Sequence, residues 1–200
     1  MVVAMAAMPG MAADTIQAFG YRWTVPVGSE WVVEGAGDGQ VLKMLVARPA
    51  LQPRRPSQYA IAETGAFEAV TIEAEVRRAK EPANTALIIV YAWKDAEHFD
   101  YAHFSVDRGT KQPVHNGIFH VYGGERVRIS QEEGPASLES VDWVPVKVEW
   151  SGKSGLVRVW SNGVEMPSMT GVDLSLRSGR VGLGSFFNTA EFRKVKISGK

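Results

Sequence analysis

The chain has 200 residues and a mass of 21.9 kDa, which suits one large β-domain or two small domains. Lysine plus arginine and aspartate plus glutamate each total 22, and this balance removes the electrostatic drive for binding nucleic acid or anionic membranes. The absence of cysteine excludes disulfides, thiolate metal sites and cysteine nucleophiles. No apolar run approaches the ~20 residues that a membrane span needs.

The first thirteen residues, MVVAMAAMPGMAA, are apolar and small and precede Asp14. Small residues at positions 10, 12 and 13 are typical of a signal-peptidase site, although no lysine or arginine precedes the apolar stretch. We interpret residues 1–13 as the remnant of a signal peptide, with a disordered tail as the alternative. This interpretation predicts a periplasmic or secreted protein.

From Asp14 onward, short strand-like runs alternate with turn residues, and no long amphipathic helical pattern is present. Residues 70–77 alternate between apolar and polar side chains, and residues 86–93 form the continuous apolar run of a central strand. Asn162-Gly163 is a strong hairpin signal, because both turn residues need a positive φ. The pattern predicts that residues 14–200 form one all-β domain, a two-sheet antiparallel sandwich of the jelly-roll type.

All four histidines lie between residues 98 and 120. A hairpin centred between Lys111 and Gln112 pairs residue i with residue 223 − i, which places His103 opposite His120 and Tyr101 opposite Tyr122. In that register two imidazoles and two phenols line one face of the sheet. Aromatic rings stack on sugars, and imidazoles act as acids, bases or hydrogen-bond donors. A slip of one residue would move one row to the other face.

Several segments resemble one family. They are residues 31–35 (WVVEG), 67–77 (FEAVTIEAEVR), 98–104 (HFDYAHF), 156–163 (LVRVWSNG) and 179–186 (GRVGLGSF). Together these motifs resemble the concanavalin A-like lectin and glucanase superfamily, in its laminin-G-like and 3-keto-disaccharide-hydrolase-like branch. The resemblance implies two stacked, bent sheets with a concave face that binds carbohydrate. It also leaves open a structural calcium ion on loop carbonyls and Asp38 or Asp173, because this fold often binds calcium.

The sequence lacks the Glu-x-Asp-x-x-Glu strand of laminarinase-type hydrolases, so that mechanism is not expected. Three functions stay open: a carbohydrate-binding module, a glycoside hydrolase of the 3-keto-disaccharide-hydrolase-like type, and an adhesive module without a small ligand. For the hydrolase, His103 or His120 is the acid or base, oriented by Asp100, Asp107 or Glu97. The candidate catalytic residues are thus His103, His120 and Asp107, and the candidate ligand-binding residues are Tyr101, Tyr122, Trp93, His115, Asn116 and Arg128. Arg126 joins Arg128 as a possible grip on a sugar carboxylate. No cofactor or zinc site is predicted.

Overall fold

The computed structural model describes residues 13–49, 52–80, 85–107, 116–131 and 134–200. Predictions that concern His115 and residues 1–12 therefore lie outside the described residues. Within the described ranges the secondary structure is almost entirely β, with single 3₁₀ turns at Gly28–Glu30, Gly37–Gly39 and Pro167–Met169. No helix in these ranges has the length and apolar character needed to cross a bilayer.

The strands are β1 (Asp14–Ala18), β2 (Tyr21–Val25), β3 (Trp31–Glu34), β4 (Val41–Met44), β5 (Gln58–Ala62), β6 (Ala69–Arg78), β7 (Ala86–Trp93), β8 (His98–Ser105), β9 (Gly117–Tyr122), β10 (Val127–Arg128), β11 (Val144–Ser151), β12 (Leu156–Ser161), β13 (Val164–Glu165), β14 (Gly171–Val172), β15 (Arg180–Ser185) and β16 (Ala190–Gly199). The first sheet has the order β1-β2-β5-β15-β7-β8-β9-β10. The second has the order β13-β12-β11-β6-β16-β4-β3, with β14 beside β12. The recorded strand pairs are antiparallel, so the predicted two-sheet antiparallel sandwich is confirmed.

Local sequence explains several of these elements. In β6 the side chains of Val70, Ile72, Ala74 and Val76 are buried and those between them face outward, as the alternation predicted. Asn162 and Gly163 have φ angles of 50° and 76°, and Ser161 pairs with Val164. These angles match the predicted two-residue hairpin turn, which needs positive φ at both positions.

The two sheets differ in how their outer faces are covered. The first sheet is buried on both faces. Its inner face joins the main core, and its outer face carries a separate cluster of buried side chains: Tyr59, Ile61, Ile88, Val90, Phe99, Tyr101, Phe119 and Val121. We call these eight residues the outer-face cluster. The outer face of the second sheet is exposed to solvent, and there Lys147 pairs with Glu149 and Arg193 pairs with Glu75. Only the first sheet therefore has an apolar outer surface that other side chains must cover.

The predicted register of the β8–β9 hairpin is wrong. Asp100 pairs with His120 and His103 pairs with Gly117, so residue i faces residue 220 − i. The sequence pattern does not fix this register, because β8 mixes apolar and polar side chains on both faces and both faces are buried. The shift of three residues is odd, and it places His103 and His120 on opposite faces of the first sheet.

Candidate functional site

The true register separates the predicted site into two groups of side chains. Tyr101 and His103 lie on the outer face of the first sheet, where Tyr101 belongs to the outer-face cluster. His120 and Tyr122 share the other face with Asp100, which lies directly opposite His120. The sequence-based prediction therefore included residues of both groups but placed them in one row, whereas in the structure they lie on two faces of the sheet.

On the outer face, Arg126 covers the aromatic side chains. Its guanidinium carbon lies 4.3 Å from the ring centroids of both Phe119 and Phe186. Its Nη1 donates to Nδ1 of His103 over 2.9 Å and lies 3.4 Å from the hydroxyl of Tyr101. Arginine only donates hydrogen bonds, so Nδ1 of His103 accepts and carries no proton.

Burial limits what the predicted outer-face residues can offer to a ligand. Tyr101 is fully buried and His103 is 1% exposed, so neither presents a ring face to solvent. Burial raises the pKa of Tyr101 to about 12, against the opposing effect of the nearby Arg126 charge. Tyr101 therefore stays a neutral phenol that supports Arg126. The functional group of this face that solvent reaches in part is the guanidinium rather than the phenol.

On the opposite face, His120 lies between two carboxylates. Its Nδ1 is 2.6 Å from Oδ1 of Asp100 and 2.8 Å from Oδ2 of Asp173. Asp100 comes from β8 and is fully buried, whereas Asp173 follows β14 of the second sheet and its side chain is 14% exposed. We call Asp100, His120 and Asp173 the His120 cluster. It connects the two sheets through polar side chains at a point that the main core does not fill.

The electrostatics of the His120 cluster favour protonation. Burial raises the pKa of Asp100 from 3.8 to about 6, the hydrogen bond from His120 opposes this, and the charge of Asp173 adds to it. The hydrogen bond to Asp100 raises the pKa of His120, against a smaller effect of burial. Burial also raises the pKa of the adjacent Tyr91 well above its usual value, and the two aspartates add to that effect. The site holds more negative charge than one imidazolium neutralises.

Tyr122 forms an exposed rim beside the His120 cluster. Its side chain is 62% exposed, and it is the one aromatic residue among the exposed large hydrophobic residues of the described chain. Its ring stacks on His120 at 5.6 Å between centroids and meets the edge of His98 at 4.7 Å. Nδ1 of His98 lies 2.9 Å from Oδ1 of the exposed Asp95. An open ring, two imidazoles and a carboxylate thus share one surface.

Two other predicted residues have structural contacts at the hairpin end. Asn116 is 1% exposed, and its Oδ1 accepts from the backbone N–H groups of Ser105 and Ser137. Its Nδ2 donates to the carbonyl of Asp107, whose own N–H donates to the Ser105 hydroxyl. The buried amide of Asn116 holds the end of β8 against the segment around Ser137. We therefore leave Asn116 out of the proposed site.

Arg128 and Trp93 also lie away from the rim. The Arg128 guanidinium donates to the carbonyls of Asn116, Ser130 and Gln131, so it binds backbone rather than facing an open anion site. A Cβ at position 117 would lie 2.6 Å from this guanidinium, which explains Gly117. Trp93 is half-buried against the outer-face cluster, with Arg180 at 4.3 Å from its ring.

The residues suggested for calcium lie in different surroundings. Asp38 lines a groove of about 670 Å³ beside β16, together with Glu73, Glu75 and Lys194. In the described part of the chain, the one group of three metal-ligating side chains is the His120 cluster, which contains Asp173 but not Asp38. Of the two aspartates suggested for calcium, Asp173 thus lies in a cluster of ligand atoms and Asp38 does not.

The sequence analysis did not predict that Asp173 lies beside His120, or that Phe186 and Arg54 lie beside Arg126. Asp173 belongs to the other sheet, and Phe186 follows β15. Arg54 lies in the connection between β4 and β5, where its carbonyl accepts from the Arg126 N–H and its guanidinium lies 5.7 Å from the Phe186 ring. These contacts depend on the order of the strands in the sheets, for which the sequence carries no local signal.

No protein-family model and no curated protein matches the chain. Among solved structures, the chain is similar to the carbohydrate-binding module CBM66 of Bacillus subtilis, with a TM-score of 0.63, 14% identity and coverage of 88% of this chain and 95% of that one. It is also similar to a Parabacteroides distasonis protein provisionally named a glycosyl hydrolase, with a TM-score of 0.55, 14% identity and coverage of 86% and 91%. A Bacillus subtilis protein of galectin-like fold matches with a TM-score of 0.51, 12% identity and coverage of 88% and 89%. At these identities the likeness concerns the fold, and it agrees with the jelly-roll sandwich described above.

Proposed function

We propose that the protein binds carbohydrate through the surface formed by Tyr122, His98 and His120. The observation that carries this proposal is the open ring of Tyr122, which is 62% exposed and lies against two imidazoles. Contact with water is unfavourable for the apolar face of an aromatic ring. An exposed ring is therefore a candidate contact for an apolar surface of a ligand. The C–H face of a sugar ring supplies such a surface.

The polar groups around Tyr122 suit the hydroxyls of a sugar. Asp95 and Glu97 are exposed and accept hydrogen bonds, whereas the imidazoles of His98 and His120 donate or accept according to their protonation. A ligand site of this kind combines apolar contact with a few placed polar groups. The names of the similar structures support the same class of ligand, since they include a carbohydrate-binding module and a provisionally named glycosyl hydrolase.

The test is a glycan array followed by calorimetric titration of any hit with the full chain. Loss of the ring in Tyr122→Ala should weaken binding at least about fivefold, because aromatic contacts of this kind contribute on the order of 1 kcal/mol or more. Tyr122→Phe keeps the ring and should retain most of the affinity. Val164→Ala is the matched control, because Val164 is 64% exposed on the second sheet, away from the rim.

An affinity that survives Tyr122→Ala would place the ligand elsewhere and overturn the proposed surface. A well-folded protein that binds no glycan would favour the third alternative, an adhesive module without a small ligand.

A second candidate function is glycoside hydrolysis with His120 as acid or base. The observation in its favour is the 2.6 Å contact of His120 Nδ1 with Asp100, because a carboxylate in that position orients an imidazole for proton transfer. Turnover of 3-keto-glycosides by the full chain tests it. His120→Gln should abolish turnover, whereas the absence of any product from the wild-type chain would reject the hydrolase.

The proposal includes export of the protein. Sequencing the N-terminus of the protein recovered from periplasmic and culture fractions tests this point, with a start at Asp14 expected. Recovery in the cytoplasm with residues 1–13 intact would contradict export.

A further inference from the structure

Three side chains bring metal-ligating atoms together in the His120 cluster: one from β8, one from β9 and one that directly follows β14 of the second sheet. One ligand atom from each of Asp100, His120 and Asp173 lies within 4.8 Å of the other two. Carboxylate oxygens and imidazole nitrogens bind zinc at about 2.0–2.2 Å, so atoms on one shared ion lie roughly 3–4 Å apart. Nδ1 of His120 lies 2.6 Å and 2.8 Å from the two carboxylate oxygens, so the three groups are close enough to share one ion after small side-chain shifts.

The buried carboxylate of Asp100 supplies an independent observation. Its Oδ1 contacts His120, but its Oδ2 is buried without a hydrogen-bond partner among the described residues. An unsatisfied buried carboxylate oxygen is costly, and such groups are normally hydrogen-bonded or bound to a metal. Asp100 is fully buried, so bulk water does not solvate this oxygen.

The cluster also has one carboxylate more than an ion pair with a single histidine needs. A single Nδ1–H group donates well to one acceptor, yet Asp100 and Asp173 both lie within 2.8 Å of this nitrogen. The exposed pair of His98 and Asp95 shows the simpler arrangement on the same hairpin, with one carboxylate on one imidazole. Two carboxylates against one imidazole leave a net negative charge in a partly dry site, which a dication would neutralise.

We propose that Asp100, His120 and Asp173 bind one divalent transition-metal cation, with zinc as the representative ion. Two oxygens and one nitrogen are a donor set for zinc or manganese, whereas calcium takes six to eight oxygens. The side chains of His120 and Asp173 are 16% and 14% exposed, so the ion has a route of entry and an open position for water. Because Asp173 belongs to the other sheet, the ion would join the two sheets at this end of the sandwich.

The test is a titration of the full chain with zinc after treatment with a chelator and its removal. We expect one binding site per chain by calorimetry, a higher melting temperature with zinc, and a cobalt(II) absorption spectrum of a nitrogen- and oxygen-bound ion. Asp173→Asn should lower the zinc affinity about 100-fold or more, since changes to residues outside the ligand set alone cost up to that factor. His120→Gln should do the same, and neither change removes an apolar core side chain.

Asp95→Asn is the matched control, because Asp95 contacts a histidine on the same hairpin but lies outside the His120 cluster. It should leave the zinc affinity within twofold of wild type. Absence of stoichiometric binding to folded protein, or binding that Asp173→Asn and His120→Gln do not weaken, would overturn the proposal. Calcium binding as tight as that of zinc would overturn the assigned metal class. The titration contains no glycan, so its outcome is independent of the carbohydrate proposal.

Discussion

In the β8–β9 hairpin, His103 and His120 lie on opposite faces of the sheet and in opposite electrostatic surroundings. His103 faces outward beneath the guanidinium of Arg126, and its Nδ1 must accept a hydrogen bond. His120 faces Asp100 and Asp173, and its Nδ1 must donate one. The same residue type on paired strands therefore holds opposite tautomers. The strand register decides on which face of the sheet each imidazole lies, and that face determines the chemistry available to it.

The two faces also differ in what they leave open. On the outer face, aromatic rings and a cation cover each other, so the contacts stabilise the fold. On the His120 side, an exposed ring stands beside a polar cluster that holds excess negative charge. The comparison indicates that the outer face is mainly structural, and the ligand surface that we propose lies on the other side of the hairpin.

The largest expected effect comes from removing the cover of the outer face. Arg126→Ala deletes stacking on Phe119 and Phe186 and the hydrogen bond to His103, and should destabilise the protein by about 2–4 kcal/mol. Urea unfolding measures this loss. Arg158→Ala is the control on the second sheet, where solvent screens the exposed pair with Glu165, so the loss of stability should be much smaller. Equal losses for the two variants would contradict the structural role of Arg126.

A smaller effect is expected from pH on the His120 cluster, measured with a chelator present. The folded protein keeps a proton on Asp100 up to about pH 6, whereas the unfolded chain loses it near 3.8. The raised pKa of His120 acts in the same direction, so this contribution is present at low pH and is lost as the pH rises through both folded pKa values.

Unfolding at pH 5 and pH 8 measures that contribution, which should amount to about 1–3 kcal/mol. Asp100→Asn should flatten the difference between the two pH values. Glu149→Gln, on the wet face of the second sheet, should keep the wild-type difference. A stability that rises from pH 5 to pH 8 in wild type but not in Asp100→Asn would reverse the sign and contradict the account.

The smallest expected effect on stability is that of Tyr122→Ala, in contrast to its large expected effect on glycan affinity. The ring is 62% exposed, so its loss should change the free energy of unfolding by less than about 0.5 kcal/mol. Thermal unfolding measures this change. A drop of several kcal/mol would mean that Tyr122 supports the fold rather than a ligand surface.

The sequence predicts the sandwich well because its strands follow period-two patterns and its turns carry specific residues. Asn162-Gly163 and the alternation of β6 are examples in which local sequence determines local structure. It predicts the site only in part. The candidates His120, Tyr122 and Asp100 come from one short segment, but the predicted pairing of His120 with His103 is wrong, because β8 is buried on both faces and its pattern leaves the register open.

The remaining parts of the site come from distant segments. Asp173 reaches His120 across the two sheets, and Arg126 meets Phe186 on the outer face, over separations of more than fifty residues. Such contacts depend on strand order, and periodicity along the chain contains no information about which strands become neighbours. The excess charge at His120 was therefore not predictable from the hairpin alone.

The most direct test of the central claim is a long-range proton–nitrogen correlation spectrum of the imidazoles in chelator-treated protein at neutral pH. The account predicts that His103 carries its proton on Nε2, and that His120 carries one on Nδ1 and titrates at a raised pKa. In Asp100→Asn the pKa of His120 should fall, because its main hydrogen-bond partner is lost. The same tautomer for both histidines, or a His120 pKa at or below 6.5, would contradict the separation of the two faces.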